Sequence, residues 1–301
     1  MSVSMNLPGR ILDKLRRAAG AAPVRERVLV KTIDSARRKP LKPGFIIGVY
    51  RSGTTLLRYV LDSHPHIAVP PESNFLNGVA ALWGDEWYRK GLLGVGVDDD
   101  GLRQRLKAFA GDIFDDYARA KGKRRWFDKT PSYVDILPAL HDIFGAECRY
   151  IMLYRHGLDV ANSMATMHGN DVERGPARRF AERFPASARL TNACYWAEQC
   201  EKMLAFEAAH PEQCFRIHYE DYSSEPARYL PPLFEFLGEA WDPTVLEFYA
   251  RQHDHGLQDF KAAESTGFVP NTGSYRGWPQ GEIDQAGEAV GVVLAKLGYT
   301  V

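Results

Sequence analysis

The run Gly44-Phe-Ile-Ile-Gly-Val-Tyr-Arg-Ser-Gly-Thr-Thr-Leu-Leu-Arg-Tyr-Val-Leu-Asp-Ser-His-Pro65 decides how this chain folds. Phe45-Ile-Ile-Gly-Val49 is too short for a helix and apolar enough for a strand buried on both faces. From Thr54 to Ser63 the apolar Leu56, Leu57, Val60 and Leu61 share one helical face, and Pro65 stops that helix. Between strand and helix lies Gly48-Val-Tyr-Arg51-Ser52-Gly53-Thr54-Thr55. A strand, a glycine-bounded loop and a helix N-terminus aim backbone N–H groups at a phosphate-like anion.

The loop departs from the nucleoside-triphosphatase pattern G-x-x-x-x-G-K-[ST] at one position. Both glycines and the last hydroxyl are present, but Thr54 stands in place of the lysine that reaches the terminal phosphates of ATP or GTP. Its absence argues against ordinary phosphoryl transfer. Arg51 and Ser52 offer a guanidinium fork and a hydroxyl inside the loop instead. The alternative is a plain strand–turn–helix whose glycines only shape the turn.

The whole chain sets wide bounds. At 301 residues, 45% hydrophobic and 25% charged, it has ample core for one α/β domain with insertions. Lys plus Arg (38) balance Asp plus Glu (38), so bulk charge points to no nucleic acid. No apolar run reaches the roughly 18 residues of a membrane span, and no signal-peptide core is visible. Cys148, Cys194, Cys200 and Cys214 lack C-x-x-C spacing and read as reduced, so a cytoplasmic protein is expected.

Residues 1–43 read as a basic extension with one short amphipathic helix through Leu7, Ile11, Leu12 and Leu15, and residues 44–301 as the catalytic domain. The extension fits a membrane-surface or partner contact, or a simple appendage. Further strands are expected at 67–69, 125–127, 150–154 and 215–219. Helices are expected over 157–167, 187–209, 226–237, 243–251 and 284–297. Residues 74–125 read as irregular and helical, with Trp83, Trp87 and Tyr88 as core aromatics or as part of an acceptor pocket. Residues 168–188 are Arg-rich and broken by Gly and Pro, which fits a lid or a surface loop, and 252–281 is a long loop. Short strands alternating with helices imply a P-loop-type parallel sheet flanked by helices on both faces. Ligands then bind beyond the strands' C-terminal ends, where Arg51, Glu72, Lys129, Arg155 and Tyr219-Glu220 fall. Three basic groups there suit a strongly anionic ligand.

With these residues in place the sequence resembles the sulfotransferases that use 3′-phosphoadenosine-5′-phosphosulfate (PAPS). The family's first motif stands as Arg51-Ser52-Gly53-Thr54-Thr55 and closes in Leu61-Asp-Ser-His-Pro65. The second, a strand ending in Arg with a Ser eight residues on, stands as Arg155 and Ser163. The closest branch resembles the tyrosylprotein and carbohydrate sulfotransferases. The resemblance implies that the first loop cradles the 5′-phosphosulfate and that Arg155 and Ser163 grip the 3′-phosphate. It further implies Glu72 as general base, Lys129 as the catalytic lysine, and Tyr219 and, more loosely, Arg276 as nucleotide contacts. The usual proline after the second-motif arginine is replaced by His156-Gly157. Secretory members of the family carry an anchor and disulfides not seen here, so a soluble bacterial-type enzyme is expected.

The implied chemistry is in-line sulfuryl transfer from PAPS to an acceptor hydroxyl on a carbohydrate, small alcohol or tyrosine. Glu72 takes the acceptor proton, a role worth about 10²–10⁴-fold. Lys129 and Arg51 stabilise charge, and no metal is required. Each role has a structural alternative: Glu72 at the N-terminus of the next helix, and Lys129 in a surface ion pair with Asp128 or Glu72. Arg174, Arg178, Arg179 and Arg183 fit an anionic acceptor or, better, a solvated helix face. His64 and His156 are alternative bases, and the pairs His64/His66 and His253/His255 lack further metal ligands. The rival functions are a P-loop kinase using ATP and a non-catalytic nucleotide-binding protein. A homo-oligomer is compatible with the sequence.

Overall fold

The computed structural model describes residues 39–254, 256 and 267–301. The expected amphipathic helix through Leu7 to Leu15 lies outside the described residues, as does His255. Strand β1 (Gly44–Ile47) is followed by helix α1 (Thr54–Asp62), β2 (Ile67–Ala68), and three helices, α2 (Phe75–Gly84), α3 (Glu86–Leu93) and α4 (Asp99–Ala120). Then come β3 (Arg125–Trp126), β4 (Asp128–Lys129), a 3₁₀ turn at Pro131–Ile136, α5 (Leu137–Phe144), β5 (Arg149–Tyr154) and α6 (Gly157–Met167). A 3₁₀ turn at Pro176–Phe180 leads to α7 (Ala188–Ala209), β6 (Cys214–His218), α8 (Tyr219–Ser224) and α9 (Pro226–Leu237). The chain closes with 3₁₀ turns at Pro243–Ala250 and Ser274–Gly277 and with α10 (Gln280–Lys296).

The sheet order is β4-β1-β5-β6, all parallel, with β2 and β3 forming a second parallel pair. β1 runs between β4 and β5, pairing Phe45 with Asp128 and Ile46 with Lys129 on one side, and Gly44 to Ile47 with Arg149 to Met152 on the other. Being central, it is buried on both faces, which is why its sequence is continuously apolar. The period of two divides the core. Phe45, Ile47, Tyr150, Met152 and Tyr154 face α4, α5, α6, α7 and α10. Ile46, Ile151, Leu153 and Ile217 face α1, α8 and α9. Helices therefore cover both faces, and every strand delivers its C-terminal end to one edge.

Several expectations change. The strand expected at 125–127 divides at Phe127: β3 pairs with β2, β4 pairs with β1, and Phe127 N bridges to Ala68 O at 2.9 Å. Lys129 is consequently the last sheet residue rather than the first beyond it. Tyr219 opens α8 instead of ending a strand. The helix expected over 243–251 is a 3₁₀ turn kinked at Glu247, and the last helix begins at Gln280, four residues early. Trp87 and Tyr88 are not core: they are 81% and 53% exposed, because α3 buries none of its residues. That helix is held at its start by Asp85, whose carboxylate accepts from Trp87 N and Tyr88 N. The four cysteines are unpaired. No helix among the described residues is long and apolar enough to cross a membrane.

Candidate active site

The loop between β1 and α1 owes its shape to close packing. A Cβ on Gly48 would lie 2.9 Å from Thr54 Cγ2 and 3.0 Å from the Leu153 carbonyl, so only glycine lets the backbone pass. Gly53 has φ +90°, and a Cβ there would sit 2.4 Å from the Tyr219 ring. Arg51 is also left-handed at φ +69°, unusual for a residue with a side chain. Two left-handed residues flanking Ser52, followed by the first turn of α1, make a concave run of backbone N–H groups.

Around this loop the second motif closes in. Arg51 Nε donates to Ser163 Oγ at 3.0 Å, two turns into α6. Arg155, the first residue after β5, donates from Nη1 to Arg51 O at 2.7 Å and from Nη2 to Asn271 O. Its guanidinium lies 4.4 Å from the centre of the Tyr219 ring. Tyr219 OH accepts from Asn271 N at 3.2 Å, and Tyr222 OH donates to Gly53 O at 3.0 Å. Arg155 and Ser163 thus both attach to Arg51, one through its backbone and one through its side chain. Ser52 Oγ and Arg155 Nε are buried without a hydrogen-bond partner among the described residues. Buried donors are rarely left so, and a hydroxyl and a guanidinium N–H beside a nest of backbone N–H groups fit a phosphorylated ligand.

The segment carrying Arg276 is pinned to α6. Asp159 accepts from Gly273 N, Ser274 Oγ and Tyr275 N, and Trp278 Nε1 donates to Asn162 Oδ1. Arg276 itself is exposed, with its guanidinium folded back over Gly273.

Glu72 and Lys129 meet on the far side of the loop. Lys129 is fully buried; its ammonium pairs with Glu72 Oε1 and donates to Thr55 Oγ1 at 3.3 Å. It is not a surface ion pair. Burial pulls its pKa down, opposed by the charge of Glu72. Glu72 is not a helix cap either, since the first turn of α2 holds no acid. Burial, and then the Glu72 charge, push the hydroxyl of Tyr50 up, and Ser132 lies within its hydrogen-bond reach. Ser132 Oγ also accepts from Asn77 Nδ2 at 2.9 Å.

The alternative bases are committed elsewhere. His64 Nε2 lies 3.0 Å from Ala240 O and its Nδ1 accepts from His66 N. His156 Nδ1 accepts from Leu158 N, capping α6, while Nε2 lies 2.8 Å from Thr300 O. Glu239 joins His64 and His66, a third group the sequence did not reveal, with ligand atoms within 4.8 Å of one another. Its carboxylate is already engaged by Arg124 at 2.9 Å. Arg174, Arg178, Arg179 and Arg183 are all exposed, as a solvated face requires, and Arg179 also donates twice to Glu198 on α7.

Sequence reasoning also missed Arg58, buried within α1, which donates to the carbonyls of Val69, Pro70 and Asp254. An arginine next to the apolar face of a helix expected to be buried was the available signal.

A parallel α/β sheet with an anion-shaped loop at its central strand, and a buried lysine–carboxylate pair beside it, defines a group-transfer site of nucleotide type. Residues 43–243 match the model of the sulfotransferase family, and the chain belongs to that family. It is 33% identical over 132 residues to nodulation protein NoeE of Sinorhizobium fredii, covering 42% of this chain and 31% of that protein. It is 27% identical over 211 residues to protein-tyrosine sulfotransferase 1 of Danio rerio, covering 67% of this chain and 54% of that one. The chain therefore spans only a third to a half of these relatives' length. In fold it is similar to the sulfotransferase domain of the Synechococcus PCC 7002 olefin synthase, with TM-score 0.59, 20% identity, and 90% and 98% of the two chains covered. It is likewise similar to the sulfotransferase domain of the curacin biosynthetic pathway, with TM-score 0.57, 22% identity, and 88% and 99% covered.

Proposed function

We propose that this sulfotransferase moves a sulfuryl group from PAPS to an acceptor hydroxyl, with Glu72 as general base. The observation that carries the reading is the Lys129 ammonium, buried between the Glu72 carboxylate and the Thr55 hydroxyl of a loop that lacks the lysine of ATP chemistry. PAPS supplies an activated S–O bond with a bisphosphate leaving group. The loop N–H groups and Ser52 bind the 5′-phosphate, and Arg155 with Ser163 and Tyr219 bind the 3′-phosphate. Glu72 accepts the acceptor's proton as the new O–S bond forms, and Lys129 stabilises the bridging oxygen as the old one breaks. Lys129 and Arg51 carry the charge that magnesium carries in ATP enzymes, so chelator leaves the rate unchanged. The Danio rerio relative's name makes a tyrosine phenol the first acceptor to try.

Calorimetric titration with 3′,5′-adenosine bisphosphate, against ATP with magnesium, tests the donor. Micromolar binding of the bisphosphate with ATP clearly weaker is expected. Preferential ATP binding would return the kinase reading, and equal loss of bisphosphate and AMP affinity in Arg155→Ala would remove the second motif from the 3′-phosphate.

A further inference from the structure

Asp128 is buried on β4, directly before Lys129, and plays no part in the reading above. Its Oδ1 accepts from Lys129 N at 2.8 Å. Its Oδ2 accepts from Ser73 Oγ at 2.8 Å and Tyr133 OH at 2.7 Å. Each hydroxyl in turn accepts a backbone N–H from the first turn of α2: Phe75 N to Ser73 Oγ at 3.3 Å, and Leu76 N to Tyr133 OH at 3.3 Å. This relay explains how α2 starts. Its N-cap, Asn74, is left-handed at φ 53° and makes no side-chain capping bond, so the orphan N–H groups reach a carboxylate through two hydroxyls.

The node joins two backbones. Ser73 directly follows Glu72, and Lys129 directly follows Asp128. On the other side, Arg58 holds the Val69 and Pro70 carbonyls that lead into Glu72. We propose that Asp128, through Ser73 and Tyr133, is a positioning residue that sets the separation of Glu72 from Lys129. Charge fits this role: an ionised carboxylate offers only acceptors, and all three groups facing it are donors. Burial pushes the Asp128 carboxyl up to about 6 against the hydrogen bonds from Tyr133 and Ser73, so it is ionised in neutral solution.

The inference rests on Glu72 and Lys129 being the reacting pair, and the test separates the two claims. Replacing Asp128 directly risks unfolding, so the hydroxyls are removed instead: Ser73→Ala, Tyr133→Phe and the double variant. One readout needs no acceptor, namely the pH titration of the Lys129 ε-methylene by NMR. Glu72, Thr55, Arg58 and Asp128 are the groups around that ammonium. With Glu72 displaced, Lys129 loses its main counter-charge and titrates at lower pH, whereas Ser73→Thr restores the wild-type curve. The second readout is PAPS turnover with a tyrosine peptide: kcat falls ~10- to 100-fold, as misplacement by about 1 Å allows, while KM for PAPS stays within about threefold. An unmoved Lys129 titration with only a lowered Tm overturns the proposal and leaves Asp128 a helix cap. Unchanged turnover in Glu72→Gln instead overturns the base, whatever Lys129 does.

Discussion

Helix α1 has a buried acid–base pair at each end, and the two differ in how fully their carboxylates are bonded. At its N-terminus, Thr55 touches Lys129, which pairs with Glu72. At its C-terminus, Asp62 pairs with His253 at 2.8 Å and with Lys123 at 3.3 Å, and accepts Val69 N at 3.0 Å. His253 is held on its other side by Phe248 O at 3.0 Å. Both carboxylate oxygens of Asp62 are bonded and its side chain is 3% exposed, whereas among the described residues Glu72 bonds through one oxygen and is 15% exposed. A carboxylate with all partners in place is a clamp. One with a lone pair still open to solvent can take a proton.

The largest expected effect breaks the first pair. Glu72→Gln keeps the shape and removes the proposed base, so transfer is expected to fall about 10²- to 10⁴-fold while bisphosphate affinity and Tm stay near wild type. A variant that keeps its rate and loses its stability would make Glu72 a second clamp. Asp62→Asn should do the reverse. Leaving the buried Lys123 ammonium without its counter-charge costs ~3–5 kcal/mol of stability, read from urea unfolding, and the surviving folded protein turns over normally. Comparable losses of rate in both variants would erase the distinction between the two ends.

Just before α1, at its N-cap, lies a test of the backbone. Gly53→Ala puts a methyl at a left-handed position against the Tyr219 ring, at a cost of ~1–3 kcal/mol. Because the loop N–H groups are displaced with it, bisphosphate binding should weaken measurably by calorimetry, while the Asp62 clamp stays intact. Unchanged affinity would mean that side chains, not the loop, hold the nucleotide.

These contrasts also show what a sequence can record. β1, α1, β5 and α6 were legible because each is a local pattern: an apolar run, a 3.6-residue period, a glycine, a proline. Glu72 and Lys129 were legible as positions at strand ends, which parallel topology gathers at one edge. Their burial and mutual contact were not, since those depend on β4 packing beside β1. Arg51 was read with the 5′-phosphate; its left-handed backbone and its side-chain bond to Ser163 were not readable from the sequence. Asp128 read as an acid beside a lysine; its partners Ser73 and Tyr133 come from separate elements, and no period or spacing links them. Trp87 and Tyr88 failed for a simpler reason. Composition says aromatic and therefore core, but only packing decides which helix face is covered.

The smallest effect is a difference in slope with pH, at most about 1.4 kcal/mol per pH unit for each group. Burial pushes the Asp62 carboxyl up, but the His253 hydrogen bond, Lys123, the Val69 N–H and Arg58 outweigh it and hold it well below the usual range. The native state then binds fewer protons there than the unfolded chain, so this contribution is present above the ordinary carboxylate value near 3.9 and is lost as the solution is acidified. Asp128 runs the other way. Burial among Tyr133, Ser73 and Lys129 raises it from 3.8 to about 6, so the native state binds more protons between those values and stability declines as pH rises through them. Unfolding free energies from pH 3 to pH 7, compared with Asp62→Asn and with Asp128→Asn, should therefore show corrections of opposite sign. The Asp62 difference grows toward neutral pH, and the Asp128 difference shrinks between pH 4 and pH 6. Parallel slopes would mean that the two buried acids share one environment, and that filled acceptors alone do not tell a clamp from a positioning group.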